Sequence, residues 1–183
     1  MATPTTLPSS FTAGQVLTAT QMNNLRGAFR VLTVNSITKT DTFSTTSTSF
    51  VDVTGLSLTI TPQSNTSQFL LVAQISAGAN TDKVWFKFAG GNTANDVGAA
   101  AGSRVRVGLE IGAGLAASAS SGIMLYLDSP ATASAITYKV QMASYAGGTQ
   151  YVNRSFTDTD SMSSLSLHYC TNTDLTRYSF LQL

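Results

Sequence analysis

The stretch Ala135-Ile-Thr-Tyr-Lys-Val-Gln-Met142 decides the fold class. Ile136, Tyr138, Val140 and Met142 alternate with Thr137, Lys139 and Gln141, and a period of two places one set on a core face and the other toward water. Working outward, Leu56, Leu58 and Ile60 alternate with Ser57 and Thr59 up to Pro62. Val105, Val107, Leu109 and Ile111 alternate with Arg106, Gly108 and Glu110, and Ile123, Leu125 and Leu127 alternate with Met124 and Tyr126. These four segments read as strands with one face in a core. Looser candidates are Val31 to Thr38, Phe69 to Ile75, Val84 to Phe88, Tyr151 to Phe156, Leu165 to Tyr169 and Tyr178 to Leu183, about eight to ten strands altogether.

The connections are rich in turn formers: GAN (78–80), AGGNTAND (89–96), GAGLAASASSG (112–122), DSPATAS (128–134) and AGG (146–148). No helical period separates one strand from the next, so parallel βαβ units are disfavoured. An antiparallel sandwich or barrel follows, with a jelly roll as first choice. The stretches 97–102 and 112–122 are nearly all Gly, Ala and Ser, which suits either mobile tips or close approach of backbones.

Composition sets the rest of the frame. The chain has 183 residues, of which 43% are hydrophobic and only 10% charged, with a formal net charge of +1. That is enough apolar material for one domain's core, and far below the roughly 25% charge of ordinary domains. Ten basic residues among nine acidic ones do not make the basic stripe that phosphate neutralisation requires, so nucleic acid is excluded as a partner class. Ser and Thr, together roughly a quarter of the chain, supply surface hydroxyls in place of charge. Cys170 is the only cysteine, so no internal disulfide is expected. Neither a leader peptide nor a membrane-spanning run is readable, which fits synthesis in a reducing cytoplasm.

The first thirty residues have a different pattern. Phe11, Val16, Leu17, Met22, Leu25 and Phe29 are spread through this segment. Thr18 is placed to cap a short helix from Ala19 to about Phe29, which would set Met22, Leu25 and Phe29 on one face. The expected organisation is an attachment segment over 1–30 and a β-sandwich knob over 31–183, with those six apolar residues buried in a partner. The strand-like ending RYSFLQL (177–183) is expected in a sheet interior or near an axis where copies meet, which implies an oligomer.

Candidates for chemistry are few. His168 and Cys170 share a side of an alternating strand, but no third orienting group is readable nearby, so a structural role is expected. Asp158 and Asp160 have the i, i+2 spacing of calcium ligands without the Gly and Glu of a calcium loop, and turn formation accounts for them better. Gly90-Gly91 and Gly147-Gly148 lack a following Lys-Ser or helix start and read as turns, not phosphate loops. Trp85, Tyr145, Tyr151 and Asn153 have the side chains of a glycan-binding face, although Trp85 in VWFKF is expected to pack. Glu110 is the only glutamate, so the paired carboxylates of a glycan-degrading enzyme are not apparent. The reading is therefore of a non-enzyme with no cofactor and no metal.

Two sets of residues carry a resemblance. The segment FTAGQVLTATQMNNLRG (11–27), through Gly14, Leu17, Thr18, Ala19, Met22, Asn23 and Leu25, resembles the N-terminal attachment segment of tailed-bacteriophage tail and fibre proteins. Residues 42–76, AGSRVR (101–106) and 127–161 resemble a β-sandwich module of phage virion proteins, including those of marine and cyanobacterial phages. RYSFLQL also resembles the closing strand of trimeric tumour-necrosis-factor-like jelly rolls, whereas the chain after Asp160 departs from the ending of the phage module. The resemblance implies a virion structural protein made in a host bacterial cytoplasm. It would be a homotrimeric tail fibre, spike or capsid-decorating knob whose partners are other virion proteins. The alternatives are an adhesion module for host surface polysaccharide and, ranked below it, a glycan-degrading enzyme.

Overall fold

The structure is a computed structural model that describes residues 13–14, 16, 18–19, 34–79, 83–112, 119–157 and 169–170. The strands are β1 (Phe43–Thr45), β2 (Val51–Ile60), β3 (Phe69–Ala79), β4 (Val84–Ala89), β5 (Leu109–Ile111), β6 (Ser120–Asp128), β7 (Ile136–Ser144), β8 (Gln150–Val152) and β9 (Tyr169–Cys170), with one 3₁₀ turn at Thr93–Asn95. One sheet has the order β1-β8-β3-β6, with β9 also on β3, and the other has the order β2-β7-β4-β5. Every pairing is antiparallel. Strands 1 and 8, 2 and 7, 3 and 6, and 4 and 5 pair in turn, so the chain is one long hairpin rolled so that successive pairs fall in alternate sheets. That is a jelly roll, the eight-strand double-sheet solution to the edge problem of β proteins.

The core lies between the sheets. Leu71, Ala73, Ile75 and Ala77 of β3 meet Val84, Phe86 and Phe88 of β4 and Tyr138, Val140 and Met142 of β7. Each large side chain fully buried here contributes roughly 1.5–3 kcal/mol before ordering costs. β2 reaches the same core through a register shift between Asp52 and Ser57. Gly55, at φ +84°, forms the bulge. The bulge lets Val53 and Leu56, three residues apart, both point inward.

The expected strands over 69–75, 84–88 and 136–142 are present, and the one over 56–60 is the second half of a longer strand. Three differ. Over 105–111 only Leu109–Ile111 forms a strand. Arg104 and Arg106 instead close a loop, with Arg104 N–H donating to Ala101 O and the Arg106 guanidinium donating to the carbonyls of Gly98, Ala94 and Val97. Over 151–156 the strand stops at Val152, because Asn153 adopts φ +61° and turns the chain. In the described part of 31–38, only Asn35 makes a bridge.

Of the helix expected over 19–29, Ala19 alone is described, and it is helical. The strand expected over 165–169 is represented by Tyr169–Cys170, and RYSFLQL lies outside the described residues. Among the described residues no helix is long and apolar enough to cross a membrane.

Candidate interaction face

The two sheets present opposite kinds of outer surface. On the β2-β7-β4-β5 sheet most outward residues are polar, and several are paired. Lys139 Nζ lies 2.6 Å from Asp52 Oδ2, and Gln141 Nε2 donates to Asp52 Oδ1 at 2.8 Å. These contacts, the lysine first and then the amide, hold the Asp52 carboxyl below the usual carboxylate range. The hydroxyls of Thr59 and Thr137 are 2.7 Å apart, and Lys87 Nζ sits 4.4 Å from the Phe50 ring centroid. Lys83 Nζ reaches Glu110 Oε1 at 2.9 Å and Trp85 Nε1 donates to Glu110 Oε2 at 3.0 Å, and these two donors lower the Glu110 pKa. This is a surface arranged to stay wet.

Among the described residues the outer face of β3 and β6 carries no ion pair, and at its end Gln68 Nε2 donates to Ser129 Oγ at 3.0 Å. The register sets Leu70 opposite Leu127, Val72 opposite Leu125 and Gln74 opposite Ile123. Leu125 is 63% exposed, Ile123 58%, Leu127 46% and Leu70 36%. The flanking Gln68, Gln74, Ser121 and Ser129 are uncharged. Alternation in the sequence suggested that Ile123, Leu125 and Leu127 face the core, and the structure reverses that. Met124 is the core residue, Gly122 lies under the Leu109 side chain, and Asp128 is fully buried. Asp128 accepts the Tyr138 hydroxyl at 2.5 Å and the Asn92 N–H at 3.1 and 3.2 Å. The hydrogen-bonded carboxylate fixes which side of β6 turns inward, and the branched apolar side chains are left outside.

The bare area is bounded on one side by a strap. After the Asn153 turn, residues 154–155 fold back over Gly78, where an added Cβ would stand 2.3 Å from Arg154 O and 2.9 Å from Ser155 Cα. Asn153 itself is buried; its N–H donates to Ser76 O, and its Nδ2 donates to Lys39 O and Asp41 O. Arg154 lies over the Tyr151 ring at 4.2 Å, and Phe156 meets that ring edge-on. The strap thus covers the C-terminal half of β3, and among the described residues nothing comparable covers the N-terminal half or β6.

The four residues with glycan-binding chemistry are divided between the sheets. Trp85 is buried edge-to-face against the half-exposed Tyr145, while Tyr151 and Asn153 belong to the strap region of the other sheet. Among the six apolar residues expected to form an attachment segment, Val16 is described and is 86% exposed; Phe11, Leu17, Met22, Leu25 and Phe29 lie outside the described residues. So do His168, Asp158 and Asp160, while Cys170 is placed in β9 beside Val72. Among the described residues no cluster of three or more His, Cys, Asp or Glu side chains could hold a metal ion. The chain matches no protein-family model and no curated protein sequence.

Proposed function

We propose that this protein is a non-enzymatic structural component of a bacteriophage virion, a homotrimeric jelly-roll knob tethered through residues 1–30 to a larger tail, connector or capsid protein. The observation that carries the reading is the contrast between the two outer faces. One is laced with ion pairs and hydroxyls, and the other is apolar and uncharged, as expected of a module whose work is packing against protein. The exposed Val16 in the attachment segment supports the tether, because an uncovered apolar side chain there is available to a partner groove. Three tethers on one trimer turn the second and third docking events into intramolecular steps, so modest individual contacts give firm attachment.

The test is deletion of residues 1–30 followed by measurement of incorporation into particles. Loss of incorporation with a folded knob is the expected result, and incorporation at the full-length level overturns the tether.

A further inference from the structure

We infer that residues 167–173 of this chain dock along the open edge of β3, from Ile75 back to Phe69, and complete the sheet beside β8. The two sides of β3 are unequally paired. β6 accompanies one side from Phe69 to Ala77. On the other side β8 reaches only Ala77–Ala79, and the Asn153 N–H donates to the carbonyl of Ser76. Backbone groups alternate in direction along a strand, so Gln74, Val72 and Leu70 turn their N–H and C=O to the same side as Ser76. Such groups need partners, and an uncovered edge is a template for foreign strands. Among the described residues the partner on this stretch is β9, with Cys170 opposite Val72 and Tyr169 opposite Ala73.

Register and sequence agree on the extent and the phase of this pairing. Carried along the antiparallel ladder, it sets Leu167 opposite Ile75, His168 opposite Gln74, Thr171 opposite Leu71, Asn172 opposite Leu70 and Thr173 opposite Phe69. It stops at Leu167 because Asn153 already holds Ser76. Ile75, Ala73 and Leu71 are buried in the core, so Leu167, Tyr169 and Thr171 share that side, while His168, Cys170 and Asn172 stand outward with Gln74, Val72 and Leu70. The two largest apolar side chains of the segment thus fall inward, and the imidazole and the carboxamide fall outward. A slip of one residue reverses every position. It would set His168 beside buried Ala73 or Ile75, with its ring nitrogens stripped of water. The occupant is the chain's own segment because β9 belongs to it. Residues adjoining Cys170 are held at this edge by their own backbone, at an effective concentration that a strand from another molecule does not match. Seated there, the strand adds His168 and Cys170 to the outer face beside Gln74 and Val72 and closes β3 to strand addition by other chains.

Paired cysteines in a Cys170→Ser background test this on the full chain, with a short thiol-bridging reagent as the probe and a denaturing gel as the readout. The matched pairs are Leu70→Cys with Asn172→Cys and Gln74→Cys with His168→Cys. The crossed pairs, Leu70→Cys with His168→Cys and Gln74→Cys with Asn172→Cys, are the controls. The expected result is bridging within one chain, at the 19.2 kDa of the monomer, in both matched pairs and its loss in both crossed ones. Matched pairs that do not bridge, crossed pairs that bridge as readily, or bridges between two chains overturn the inference. If a matched variant fails to fold, hydrogen exchange on the wild-type protein decides. The amides of Leu70, Val72 and Gln74 should exchange as slowly as those of Leu71 and Ala73, which face β6, and rapid exchange at Leu70 and Gln74 overturns the pairing.

Discussion

The Tyr138 hydroxyl, on one sheet, donates to Asp128 Oδ2, on the other, at 2.5 Å, and both residues are fully buried. This hydrogen bond crosses the sandwich at the end where β6 leaves the core. The Asn92 N–H donates to the same carboxylate, so the 3₁₀ connection is tied to it as well. Tyr138→Phe removes one donor and leaves the carboxylate partly unsatisfied, for which the expected loss is about 1–3 kcal/mol. At about 2–4 °C per kcal/mol for a chain of this size, thermal melting resolves it. Asp128→Ala, which orphans both donors and opens a void, is expected to cost more.

Gly78→Ala tests the strap. The new methyl group would collide with backbone at Arg154 and Ser155, and backbone cannot swing aside as a long side chain does. The expected result is a destabilisation of about 1–3 kcal/mol. Cleavage by trypsin after Arg154 should become faster than in the wild type.

Asp96 is the carboxylate that the fold disfavours. Burial raises its pKa, and the Phe88 N–H bond to Oδ2 offsets this only in part. A folded-state pKa above the unfolded value means that the folded form holds the proton more tightly. The associated stability is complete below the unfolded pKa and is lost as pH rises through the folded one. Asp96→Asn keeps an acceptor for Phe88 without the charge. It is expected to stabilise the protein at pH 7 by a few tenths to about 1 kcal/mol, allowing for solvent screening of a half-buried group. The advantage should shrink to zero in acid, which urea denaturation at a series of pH values would show.

Asp52 titrates in the opposite sense. Lys139 and Gln141 lower its pKa, so its contribution is present above the unfolded value, near pH 4, and is lost as pH falls through the folded one. A double-mutant cycle of Asp52→Asn and Lys139→Met should return a coupling of about 0.2–1 kcal/mol at pH 7, as for other exposed pairs. The coupling should disappear in acid and weaken in high salt.

The residues that revealed the jelly roll did so through simple alternation: Tyr138, Val140 and Met142 of β7 and Leu56 and Ile60 of β2 face the core as their period implies. The first half of β2 was hidden because Gly55 shifts the phase, so Val53 falls out of step with Leu56 and no single period spans the strand. β1 and β8, three residues each, are too short for any periodicity. β6 misled for a different reason. It is apolar on both faces, and a period of two cannot say which face is inside. That choice depends on a carboxylate, Asp128, finding Tyr138 and Asn92 across more than thirty residues of chain in one direction and ten in the other. The exposed apolar face was therefore present in the sequence as Ile123, Leu125 and Leu127 but concealed as core.

The Asn153 side chain joins the two limbs of the polypeptide where they approach and depart from the barrel-like body. Phe43 stands opposite Val152 in the register, and one amide group holds the carbonyls of Lys39 and Asp41. A body whose two limbs run side by side can be grafted into a surface loop of another protein without stretching its host. The entry at Lys39–Asp41 and the turn at Asn153 therefore lie together, and of the described strands only β9 stands beyond that turn.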